Sequence, residues 1–161
     1  MKSNFLNKLT PKEKIMDLKK FNQNAINCIY KTAQIGLNSI SNVSEEVENS
    51  ALKGELATEY EGYENFISEL SAFIVEKGYE IKEVNPLKKA FMWGSIKLNT
   101  LTNDSSSHVA NLMIKGTVMG ITEMQEMINS QTEAVEPEII ELAKKLKKML
   151  EGYEQNLKKY L

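Results

Sequence analysis

The sequence predicts an all-α protein: a bundle of four long helices with a helical crossover between the second and the third. Three observations carry that reading. All three prolines sit where a helix would begin. Four long stretches each carry one apolar stripe at three- and four-residue spacing on an otherwise polar helix. Between the second and third of them lies the segment 78–103. A tight turn would not need it, whereas a connection running the length of a bundle would.

The first helix is expected over about 11–40. Thr10-Pro11-Lys12-Glu13 reads as a capping box, with Pro11 at the first helical position and Glu13 reaching back to the cap amide. Its apolar row is Leu18, Phe21, Ala25, Cys28, Ile29, Thr32, Ile35 and Ser39. Ser44 before Glu45 and Glu46 reads as the N-cap of a second helix over about 45–77, ended by Gly78. Its row is Leu52, Leu56, Glu59, Tyr63, Phe66, Leu70 and Phe73. Asn85-Pro86 opens a shorter helix over about 86–101. Asp104 is the expected cap of helix 3, about 104–130, with the row Leu112, Gly116, Met119, Glu123 and Met127. Glu136-Pro137-Glu138 opens helix 4, about 137–160, with carboxylates near the positive end of its dipole. Its row is Ile139, Ala143, Leu146, Leu150, Tyr153, Leu157 and Tyr160. Helices of about 24–33 residues span roughly 36–50 Å. The short turns make helices 1 and 2 antiparallel, and likewise helices 3 and 4.

With 161 residues, the chain reads as one domain, 1–161, with 1–10 as a flexible N-terminal segment. That length supports a core without disulfides or a structural metal. The lone Cys28 permits no intrachain disulfide and points to a reducing compartment, so the expected location is cytoplasmic. The N-terminal residues carry no signal-like apolar run, and no stretch approaches the ~18–20 apolar residues of a membrane span. All 20 basic residues are lysines, and the net charge is −2. Without arginine, the residue best suited to bidentate phosphate and guanine contacts, a dedicated nucleic-acid binder is not expected.

Residues 15–161 resemble a group of small bacterial ferritin-like four-helix-bundle proteins of unknown function. The likeness rests on the crossover Pro86-Leu87-Lys88-Lys89-Ala90-Phe91-Met92-Trp93-Gly94-Ser95-Ile96-Lys97-Leu98 and on the stretch from Glu55 to Leu70. The wider ferritin-like superfamily holds two metal ions, using a Glu from each of two helices and Glu-x-x-His from each of the other two. This chain departs from that pattern. Its one histidine, His108, has Ser105 three residues before it. The helix 1 carboxylate position falls on Gln34 and the helix 3 position on Thr117. The helix 4 motif falls on Glu151 and Glu154, with Glu in place of His. In helix 2, Glu55 and Glu59 are candidates, but Thr58 and Gly62 stand where a histidine would be. A standard di-iron site cannot be assembled from these residues.

Glu59, Glu123, Glu151 and Glu154 still fall on or beside inward-facing rows, and a buried carboxylate needs a partner, a proton or a metal. Counted from the end near the 40–44 turn, Glu59, Glu151 and Glu154 lie at similar depth, within roughly 10 Å of axial rise, and would converge near Gln34. The candidate metal ligands are therefore Gln34, Glu59, Glu151 and Glu154, an all-oxygen set suited to Mg, Ca or Mn. No catalytic constellation is complete, and an enzyme is not expected. Cys28 reads as an inert thiol on an apolar face and His108 as exposed. The methionines of helix 3 read as core filling, and Phe91, Met92 and Trp93 as a cover or an apolar patch. The leading expectation is a bundle acting through protein contacts, as a homodimer or with an unidentified protein partner. The alternative is a weak divalent-metal binder.

Overall fold

A computed structural model describes residues 10–81, 105–131 and 134–161. Four helices make up nearly all of them: α1 (Pro11–Val43), α2 (Ser50–Lys77), α3 (Ser106–Gln131) and α4 (Pro137–Leu157). A 3-10 turn, Lys158–Tyr160, follows α4. No strand occurs among the described residues. No helix there is long and apolar enough to cross a membrane. The expected helix at 86–101, the Asp104 cap and the Phe91–Trp93 patch lie outside the described residues.

The helix ends follow from their sequences. Thr10 Oγ1 accepts from the Glu13 amide, and the Glu13 carboxylate accepts from the Thr10 amide at 2.9 Å, which completes the capping box. Gly78 ends α2 in the left-handed region at φ 70°, where only a residue without Cβ is unstrained. The turn between α1 and α2 differs from expectation. Helix α1 runs on to Val43, with Ser44 as its C-cap, and α2 begins at Ser50 under an Asn49 cap that accepts from the Leu52 amide at 2.9 Å. Val47, in the intervening turn, is buried and plugs that end of the bundle. A hydrophobic residue between two polar capping candidates decides the boundary: Val47 gains more by entering the core than Ser44 does by capping.

Cross-helix contacts fix the topology. Asn22 meets Tyr79, and Gly36 meets Tyr63, so α2 runs antiparallel to α1. Glu69 pairs with Lys145, Lys77 with Glu138, and Tyr160 donates to the Ala51 carbonyl, so α4 runs antiparallel to α2 and parallel to α1. The short connection after Gln131 turns α3 antiparallel to α4. The chain therefore leaves α2 at one end of the bundle and enters α3 at the other.

The expected rows hold on α2 and α4, whereas on α1 the row shifts: Ala25, Ile29 and Thr32 are buried as expected, Ile26 and Ile40 join them, and Leu18 is exposed with Phe21, Cys28, Ile35 and Ser39 only half-buried. Ile26, Ile29, Ile40, Leu52, Leu56, Leu70, Ile139, Leu146 and Leu150 are all fully buried. On α3 the expected row is rotated. Met119 is 73% exposed and Gly116 is exposed, while Val109, Met113, Thr117, Met124 and Met127 face inward. Methionines lie on both sides of α3, Met113, Met124 and Met127 buried and Met119 exposed.

Candidate functional site

Two polar clusters lie inside the bundle, on opposite helix pairs. Between α1 and α3, the buried Thr32 hydroxyl donates to Glu123 Oε2 at 2.9 Å. Cys28 lies one turn earlier on α1. Burial pushes its thiol up to about 12, and the neighbouring Glu123 carboxylate adds to the push. The thiol is thus held protonated, which suits a structural donor and not a nucleophile. Thr117, the α3 position matched to a ligand carboxylate, is buried and donates back to the Met113 carbonyl at 2.8 Å.

The second cluster lies between α2 and α4, against α1. Glu59 is 1% exposed, and its Oε1 has no hydrogen-bond partner. Burial, and then the neighbouring charge of Glu55, raise this carboxyl to about 8. At neutral pH it therefore keeps its proton, which resolves the cost of an unpaired interior charge. Tyr63 and Tyr153 fill the adjacent space, with ring centroids 5.4 Å apart and planes tilted by 57°. The Tyr153 hydroxyl makes a long, 3.4 Å bond to the Glu59 carbonyl oxygen. Burial and the charge of Glu59 push both phenols up, Tyr153 to about 12.

Two glycines make room for these rings. A Cβ on Gly36 would stand closer than 3.0 Å to three atoms of Tyr63, and one on Gly62 would run into the Tyr153 hydroxyl. The helix backbone thus approaches each ring where a side chain would otherwise be. Gly62 is also a position where a histidine ligand would have stood.

The remaining expected ligands do not join Glu59 directly. Glu151 pairs with Lys147 at 2.8 Å and Glu154 with Lys158, at the start of the 3-10 turn, at 2.6 Å, each partner four residues away. Gln34 is half-buried on α1. Among the described residues, no group of three or more His, Cys, Asp or Glu side chains is gathered as a metal site would require. His108 is half-buried at the start of α3, where its amide donates to Ser105 Oγ at 3.2 Å. Two features had no counterpart in the sequence reading. One is the tyrosine pair with its glycine seats. The other is a polar tie at one end of the bundle. There, the buried Asn22 donates to Tyr79 and to Glu136 Oε1, both at 2.9 Å, and accepts from the Glu136 amide.

Comparison with known proteins fits this geometry. No family model matches the chain, and no curated protein matches it. A solved structure, a dodecameric thioferritin described as the bacterioferritin-related protein from Bacteroides fragilis, superposes with a TM-score of 0.69. The match covers 92% of this chain and 92% of that one, at 19% sequence identity. With four helices, the parallel α2 and α3 and this superposition, the chain has the ferritin-like fold.

Proposed function

We propose that this protein is a ferritin-like bundle that works through its outer surface, by self-association, with its interior given over to packing. The observation that supports this most is the filled centre. Tyr63 and Tyr153, seated on Gly36 and Gly62, take up space beside the candidate carboxylates, and Glu151 and Glu154 are already neutralised by lysines. Meanwhile the surface keeps Ile15, Met16, Val75 and Met119 at 66–79% exposure. The fold neighbour is described as a dodecamer, which makes assembly a natural mode for this architecture. Sedimentation velocity over a wide concentration range tests the reading. A dimer or larger species is expected, and a strict monomer at the highest concentration would end it.

One observation favours a second reading, a divalent cation held by Glu59 with Gln34, Glu151 and Glu154. The bare Glu59 oxygen inside the bundle is an acceptor without a donor. A hard cation would supply the missing positive charge and favour this all-oxygen set. In that case Mn²⁺ raises the melting temperature, and the rise disappears in Glu59→Gln and in Glu151→Ala. An unchanged melting temperature with Mn²⁺, Mg²⁺ and Ca²⁺ would reject it.

A further inference from the structure

The first turns of α1 do not belong to the bundle they lead into. At Asn22 the bundle closes: that side chain ties α1 to Tyr79, just past the end of α2, and to Glu136, just before α4. Helix α1 nevertheless starts at Pro11. The ten residues Pro11–Lys20 therefore overhang by ~15 Å at 1.5 Å rise per residue. Their far end is secured by the Thr10–Glu13 capping box. The overhang is amphipathic in phase with the rest of the helix. Ile15 stands seven residues before Asn22 and Leu18 seven before Ala25, so both extend the buried stripe of α1. Within the bundle three helices cover that stripe. On the overhang Ile15 is 70% and Leu18 38% exposed, and Met16 beside them is 66% exposed.

Charge marks what would cover it. The overhang carries Lys12, Lys14, Lys19 and Lys20 against Glu13 and Asp17, a net charge of +2, and none of the four lysines forms an ion pair with the described residues. The nearby end of the same molecule carries Glu76 and Glu80, which are equally unpaired there. Glu80 is held beside the root of the overhang, its amide donating to Gln23 Oε1 at 3.0 Å. One chain thus offers a basic apolar arm next to an acidic ledge, a self-complementary surface of the kind a two-fold axis uses.

We propose that Pro11–Lys20 is one half of an antiparallel helix pair formed with a second copy of this chain, resting on the self-association reading above. With Ile15 set opposite Leu18 of the second copy, residues whose numbers add to 33 stand opposite each other, an overlap of residues 13–20. Glu13 then faces Lys20 of the second copy. Lys12 and Lys14 at the tip reach the second copy's Glu76 and Glu80. The pairing buries the open part of the stripe, sets Glu13 against Lys20 and brings the tip lysines to the acidic ledge of the second copy.

The test is sedimentation equilibrium on the full chain, with helicity checked by circular dichroism. The variant Ile15→Ser/Leu18→Ser is expected to weaken dimerisation at least tenfold while leaving the bundle folded. Lys12→Glu/Lys14→Glu is expected to weaken it as well, and adding Glu76→Lys/Glu80→Lys to the same chain to restore it. A folded serine variant that associates as tightly as the parent overturns the arm pairing while leaving self-association standing. A monomeric parent ends both. Co-sedimentation of the parent with anionic phospholipid vesicles, lost in the serine variant while dimerisation is unaffected, would assign the arm to a lipid surface and overturn the proposal.

Discussion

Two inward-facing carboxyl groups, the half-buried Glu123 and the fully buried Glu59, lie on opposite sides of the same bundle and meet opposite fates. Glu123 on α3 has a donor in reach, the Thr32 hydroxyl at 2.9 Å, with the protonated Cys28 thiol beside it. Glu59 on α2 faces tyrosine rings and leaves an oxygen bare. The difference lies in what the facing helix supplies. Helix α1 presents small hydroxyl and thiol groups to Glu123. Helix α4 presents Tyr153 to Glu59, and its hydroxyl is spent on a backbone carbonyl. One carboxyl is thereby a hydrogen-bonding partner, and the other is a store for a proton.

Glu59→Gln sharpens the proton argument. The Glu59 carboxyl titrates at about 8 in the fold against 4.5 for the ordinary group. Between those values the folded state holds a proton that the unfolded chain has released, so stability falls as pH rises from about 4.5 and levels off above about 8. Glutamine does not titrate. The variant should match the parent near pH 4 and exceed it by on the order of 4–5 kcal/mol at pH 8.5. Parallel stability curves would mean that Glu59 finds a partner when ionised.

The comparison can be broken through the glycines. Gly36→Ala drives a methyl into the Tyr63 ring, which is itself 3% exposed and cannot swing away. A loss of about 3 kcal/mol in urea unfolding is expected. On the Glu123 side, Gly120→Ala meets only Leu150 Cδ1 at 2.9 Å and Thr32 Cγ2 at 3.2 Å. The Leu150 methyl is a side-chain tip, and alanine favours the helix by about 1 kcal/mol, so the net cost there stays near 1 kcal/mol or less. Equal losses at the two positions would remove the contrast. The smallest effect belongs to the satisfied side. Thr32→Val removes the donor to Glu123 with little change in shape, and a loss of about 1 kcal/mol is expected at pH 7.

The helices were legible in the sequence because their signals are local. The Thr10 capping box, the Gly78 terminus and the Pro137 start all stand where expected. So do the stripes of α2, with Ile74 buried in place of Phe73, and of α4. The α3 stripe was misread because that helix carries apolar residues on two sides, and Met119 fits the period as well as Met124 does. Choosing between them requires knowing what α4 and α1 present. The pairing of Glu151 and Glu154 with lysines four residues away was readable from spacing alone, though the nearby Tyr153 drew them toward the interior. The tyrosine pair and its glycine seats had no such signal. They depend on positions 27 and 91 residues apart along the chain, brought together only by the helix register.

The Asn22 tie sets an order of events during synthesis. Tyr79 belongs to the first hairpin and can meet Asn22 as soon as α2 folds back. Glu136 lies 114 residues beyond Asn22. At ribosomal speeds of ~5–20 residues per second it is made roughly 6–23 s after Asn22. Until then the nascent first hairpin exists with an amide that has found only part of its complement, and an open side where the second hairpin will dock. Completion of the chain, not formation of the first helices, is what locks that end shut.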